Sequence, residues 1–152
     1  MTTEIPPRMA RPTLLGEDVG RDYEEFGKKR GKVRMWRLGH HIGVFECIGV
    51  THDEHAEFII DYHKRFIEAF PRPFYSFANW TNLQGYSPDV RRMLTDWQVQ
   101  MAYDELHVAH QSRLLAMSIA VANAVMPTVL QVHATEERLD DALLVVRRKW
   151  GV

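Results

Sequence analysis

The sequence predicts an α/β domain, with a central mixed sheet of four to five strands and four helices in the order ββαβαβαβα. Short runs rich in β-branched and aromatic residues alternate with longer runs whose apolar residues recur every three or four positions. Prolines, glycines and capping residues fall between those runs, where the chain must turn. At 152 residues, with 45% apolar and 26% charged, the chain is large enough for one hydrophobic core and far from the composition of a disordered one.

Residues 1–31 mix prolines, glycines and charges without a helical or strand period, and are expected to form a flexible N-terminal extension to a single domain over 32–152. Val33 to Leu38 and Ile42 to Val50 read as a hairpin turned at Gly39, His40 and His41. Thr51 with Glu54 fits a capping box, and Ile59, Tyr62, Phe66 and Phe70 follow at helical spacing, so a helix is expected near 52–70, ended by Pro71 and Pro73. Phe74 to Ala78 reads as a strand and Asn82 to Tyr86 as a glycine-containing loop. Ser87-Pro88 marks a helix start, and Val90, Met93, Leu94, Trp97 and Met101 line one face of a helix over 88–101. Glu105 to His110 predicts a strand, Arg113 to Met126 a largely buried helix, and Val129 to Val132 another strand. Leu139, Leu143, Val146 and Trp150 define a last amphipathic helix near 135–149.

A strand–helix alternation implies crossover connections and a mainly parallel or mixed sheet. That order, with the stretch Ser76-Phe-Ala-Asn-Trp-Thr-Asn-Leu-Gln-Gly-Tyr-Ser-Pro-Asp-Val-Arg-Arg-Met-Leu94, resembles the anti-sigma-factor antagonist (STAS) superfamily and its SpoIIAA-like branch. The resemblance spans roughly residues 32 to 150. It implies a non-enzymatic regulatory or scaffolding module that binds a protein partner in bacterial signalling. In that family a strand ending in an acid leads to a phosphorylatable serine or threonine at the next helix start. Asn79 stands at the acid's position and Ser87 at the acceptor's, while the family's Asp-Ser-Ser/Thr-Gly motif is absent.

The candidate phosphorylation or partner loop is therefore Ser87 with Asn79, Asn82 and Tyr86. A phosphate on Ser87 would meet free backbone donors at a helix N-terminus, and the plainer alternative makes Ser87 an N-cap only. Two further classes stay open. One is a small-molecule or lipid-binding domain with an apolar pocket, since STAS-like folds related to lipid carriers exist. The other is an enzyme built on Asn79, Asn82, Ser87 and His110, against which stands the lack of any nucleophile-elbow, phosphate-loop or dinucleotide motif.

Eight histidines raise the question of a metal. His52 and His55 lie three apart on a helix with His63 further along, but His107 and His110 point to opposite faces of a strand and no Cys pair exists, so neither metal nor cofactor is expected. Glu136-Glu137 and Asp140-Asp141 suit the first turns of a helix. Lys28 to Arg37 is basic, yet the net charge is -1, so no nucleic-acid partner is expected. The uncharged run Leu114 to Thr135 is broken by Ser118, Asn123 and Pro127, which argues against stable membrane insertion. The lone Cys47 and the absence of a signal-peptide pattern point to the cytoplasm. The helix over 113–126 is apolar beyond one stripe. Leu115, Met117, Val121 and Val125 are its candidate interface, covered by a second copy in a homodimer or by the N-terminal arm.

Overall fold

A computed structural model describes residues 22–152. Strands β1 (Glu24–Lys28), β2 (Gly31–Leu38) and β3 (Ile42–Thr51) form an antiparallel meander, followed by α1 (Asp53–Ala69), β4 (Tyr75–Asn79), β5 (Leu83–Tyr86), α2 (Pro88–Met101), β6 (Glu105–Ala109), α3 (Arg113–Asn123), β7 (Leu130–His133) and α4 (Glu136–Trp150). The strands make one mixed sheet in the order β1-β2-β3-β4-β6-β7, with β5 beside β3. The pairs β3–β4, β4–β6 and β6–β7 are parallel.

Strand order explains how the layers are filled. The β3–α1–β4, β4–α2–β6 and β6–α3–β7 crossovers all step the same way across the sheet, and connections of one hand then place all three helices on one face. The larger core lies there, where Val33, Met35, Phe45, Cys47, Leu106 and Val108 meet Ile59, Phe66, Leu94, Trp97, Leu115 and Ile119. On the other face α4 alone sets Leu139, Leu143 and Val146 over Trp36, Leu38, Ile42, Val44 and Phe77.

The α/β class and all four helices agree with the sequence, and the sheet has seven strands instead of four or five. One added strand, β1, lies inside the 1–31 stretch expected to be an extension. It pairs antiparallel with β2 from Glu24↔Met35 to Lys28↔Gly31, and Asp22 is ion-paired to Arg37 at 2.7 Å, so the ordered fold starts well before Lys32. The remainder of that expected extension, residues 1–21, lies outside the described residues. The other added strand, β5, replaces the expected loop over 82–86. After β4 ends opposite Glu46, the same edge of β3 is free from Gly49 to Thr51, and Leu83, Gly85 and Tyr86 take it up.

Local details shift for identifiable reasons. The N-cap of α1 is His52, whose N–H donates to His55 Nδ1 at 2.9 Å, so the reciprocal pair sits one residue beyond the expected Thr51–Glu54 box. Helix α3 stops at Asn123 because that side chain turns to accept the Leu130 N–H at 2.9 Å. Thr135 caps α4 by accepting from the Arg138 N–H at 3.2 Å. Gly31 has no substitute: a Cβ there would come 1.9 Å from the Val50 carbonyl oxygen.

Because one helix carries most of the cover on its face, Leu139→Ala is expected to cost about 3 kcal/mol. Urea unfolding checks this as a lower midpoint with an unchanged slope, and a loss below 1 kcal/mol would mean that α4 contributes little to that core.

Candidate functional site

The three-helix face is not closed. Helix α2 leans on α1, and between α2 and α3 lies a narrow cleft. Its floor is the sheet itself, through Phe45 and Cys47 of β3, Ala78 of β4, and Leu106 and Val108 of β6. Val90 and Leu94 of α2 form one wall, Leu115, Ile119 and Ala122 of α3 the other, and Trp80, Leu83 and Tyr86 line it from the β4–β5 segment. Arg91, Thr95, Gln98, Ser76, Thr51 and Ser118 add polar groups to an otherwise apolar lining.

Alternation along each strand sets the floor, since every second residue of β3 and β4 faces the helices. The far wall depends on three fastenings. Ser112 caps α3 by accepting from the Leu115 N–H at 3.2 Å, the Tyr86 and Ser118 hydroxyls share a hydrogen bond of 2.6 Å, and Asn123 holds β7. The outer side of the same helix exposes Leu114, Met117 and Val121 (62%, 68% and 59% accessible), with Val125 just beyond it also exposed. Three of the four candidate interface residues thus lie outside. Leu115 does not; it is buried in the cleft wall, because its position on the helical wheel faces the sheet.

The four residues of the candidate loop do not converge. Asn79 is fully buried on the α4 face, its Oδ1 accepting from the Thr81 N–H at 3.1 Å, with the Thr81 hydroxyl oxygen 2.8 Å away. Asn82 is exposed, and its carbonyl accepts from the Gly49 N–H. Tyr86 reaches α3. Ser87 occupies the N-cap position of α2 without capping through its side chain, and its hydroxyl donates instead to Asp53 Oδ1, 2.6 Å away at the start of α1. His110, from the enzymatic alternative, has its Nδ1 accepting from the Ser112 N–H.

The histidines sit in separate environments. His63 is buried beneath α1 against Phe45 and Tyr103, and burial pushes its pKa down to about 3, so it is neutral. Sequence reasoning missed a second arrangement on the α4 face. His107 stacks on Phe77 at 4.3 Å, its Nε2 meets Glu105 Oε1 at 2.8 Å, and its Nδ1 meets His133 Nε2 at 2.9 Å. The two-residue spacing of Glu105 and His107 was the available signal; the partner on β7 was not visible in it. Among the described residues no group of three His, Cys, Asp or Glu side chains could hold a metal ion. The one thiol in the cleft, Cys47, is pushed up to about 12 by burial and stays protonated, which does not suit a nucleophile.

A mixed sheet with three crossover helices on one face, a lone helix on the other and an apolar cleft defines an α/β domain of the SpoIIAA-like kind. The chain is similar to the crystal structure of an uncharacterised protein of the DUF3478 family, with a SpoIIAA-like fold, from Shewanella loihica PV-4. The likeness has a TM-score of 0.56 at 14% identity and covers 78% of this chain and 97% of that one. No family model matches the chain, and no curated protein matches it. The fold is thus the one the sequence resemblance implied.

The Ser87–Asp53 bond ties the starts of α1 and α2 together, so Ser87→Ala is expected to cost about 1–2 kcal/mol as a lost hydrogen bond to a carboxylate. In a double-mutant cycle Asp53→Ala and Ser87→Ala should be clearly less than additive, whereas additive losses would mean that the two side chains act independently.

Proposed function

We propose that this protein is a non-enzymatic binding module and that the cleft between α2 and α3 takes a small apolar molecule. The observation that carries this reading is α3 itself. Its Leu115, Ile119 and Ala122 form one wall of a cleft floored by apolar strand residues. A concave, mainly apolar site with a few polar groups is the usual form of a small-molecule site. Arg91 and Gln98 line the same cleft and suit the polar end of such a ligand.

A second reading, a protein partner in a regulatory system, is favoured by the opposite side of the same helix. Leu114, Met117 and Val121, with Val125 just past the helix end, expose a run of apolar surface of the kind that marks interaction sites, and a second copy of the chain is one such partner. No described helix is long and apolar enough to cross a membrane, and a buried, unpaired cysteine suits a reducing compartment such as the cytoplasm.

Titration with 1-anilinonaphthalene-8-sulfonate tests the cleft. The folded protein should bind one dye per chain, and Thr95→Trp, which narrows the cleft, should weaken binding by about tenfold, or 1.4 kcal/mol, with an unchanged melting temperature. Absence of saturable binding by the native protein would count against the pocket. Sedimentation equilibrium tests the outer face. Met117→Lys and Val121→Lys replace exposed side chains and should leave folding intact while shifting any self-association towards monomer. A wild type that is monomeric at high micromolar concentration would exclude the homodimer.

A further inference from the structure

The face covered by α4 carries a row of polar side chains that the cleft does not use. In register across β1, β2, β3 and β4 stand Glu25, Arg34, Glu46 and Asn79, each the lateral neighbour of the next. Arg34, Glu46 and Asn79 are 5%, 0% and 0% accessible. Buried polar groups are ordinarily hydrogen-bonded, and leaving one unmet costs its desolvation. Here both carboxyl oxygens of Glu46, Nε and Nη1 of Arg34 and Nδ2 of Asn79 make no hydrogen bond to another protein group. Arg34 Nε lies 3.4 Å from Glu25 Oε2, an ion-pair contact without hydrogen-bond geometry.

The groups facing Glu46 come from every neighbouring element. Arg34 flanks it on β2 and Asn79 on β4. Glu25 and Tyr23 lie beyond Arg34, with Tyr23 stacked on Trp36. Thr81 follows β4 and donates to Glu136 Oε1 at 2.7 Å at the start of α4, and Asp140 is buried one turn further along that helix. Arg34 favours an ionised Glu46, Glu136 opposes it, and burial opposes it most. Glu46 also sits between Phe45 and Cys47, and Asn79 next to Ala78, so the row is the reverse side of the cleft floor.

We propose that the Arg34–Glu46–Asn79 row is a proton-sensitive tie within the fold: with a proton on Glu46 the β3–β4 pair packs closely beneath α4, and loss of that proton loosens the pair. Charge explains the direction. A neutral carboxyl can remain in the buried space under α4, whereas a carboxylate needs water or a full ion pair, and Arg34 does not reach it with a hydrogen bond. Burial raises the folded-state pKa to about 8, against an ordinary value of 4.5. Between those values the folded state holds more protons than the opened one, so stability is fully present below the lower value and is lost as pH rises through the upper. The tie acts whatever the cleft holds, and it reaches the cleft through Phe45, Cys47 and Ala78.

The test is carbon-13 NMR of the Glu46 carboxyl in the full chain, together with amide exchange of Phe45, Cys47, Ala78 and Asn79 corrected for intrinsic base catalysis. Glu46 should titrate near neutral or above. Opening of the four amides should rise by about tenfold per pH unit from pH 5 towards 8 and level off beyond. Glu46→Gln, which keeps the shape and removes the charge, should flatten that dependence. A Glu46 carboxyl that titrates in the ordinary carboxylate range would overturn the proposal even if the variant failed to fold, and so would pH-dependent opening that persists in Glu46→Gln.

Discussion

The handedness of three successive crossovers governs this molecule. Since β3, β4, β6 and β7 follow one another across the sheet, right-handed connections put α1, α2 and α3 on one face and leave the opposite face to whatever comes next in the chain. That is α4, a helix of 15 residues and so about 22 Å long. Laid on a sheet six strands and about 24 Å across, a rod of ~10 Å diameter covers a band and no more. Its apolar stripe is spent on Trp36, Leu38, Ile42, Val44 and Phe77, and towards its N-terminus the sheet face turns polar, with Arg34, Glu46 and Asn79 in line. The helix-rich face has the opposite imbalance, with enough helices to leave a gap between two of them.

Much of this was legible because apolar periodicity records which side of each element meets the core. The four helices and the parallel strands of the α/β order follow from it, as does the apolar excess of α3. What it could not show depends on partners distant in sequence. In β1, Glu24-Glu25-Phe26-Gly27-Lys28 sits at an edge and carries mostly exposed or half-exposed residues, so no apolar alternation marks it. Strand β5 exists because β4 ends early and leaves an open edge on β3, which is a property of the sheet and not of Leu83 to Tyr86. Ser87 had the right residue type and position for a cap, but an aspartate 34 positions earlier offers its hydroxyl a charged acceptor. The candidate site was legible only as an over-apolar helix; which of its residues faces inward depends on its placement over the sheet, and Leu115 faces the cleft.

Helix α3 serves two environments. Leu115, Ile119 and Ala122 look into the cleft while Leu114, Met117 and Val121 look out, so burying the first set does nothing for the second. Besides the core packing of its inner residues, three hydrogen bonds fasten the helix: a serine cap, a tyrosine–serine contact and an asparagine hold on the following strand.

The Glu105–His107–His133 chain fixes more than the position of β7. A carboxylate only accepts, so the neutral His107 ring must carry its proton on Nε2, which leaves Nδ1 as an acceptor. His133 must then supply its Nε2 proton to that nitrogen, and its own Nδ1 is left with a bare lone pair. One carboxylate on β6 thereby determines the tautomer of two rings and gives the Nδ1 lone pair of the last residue of the edge strand a defined position.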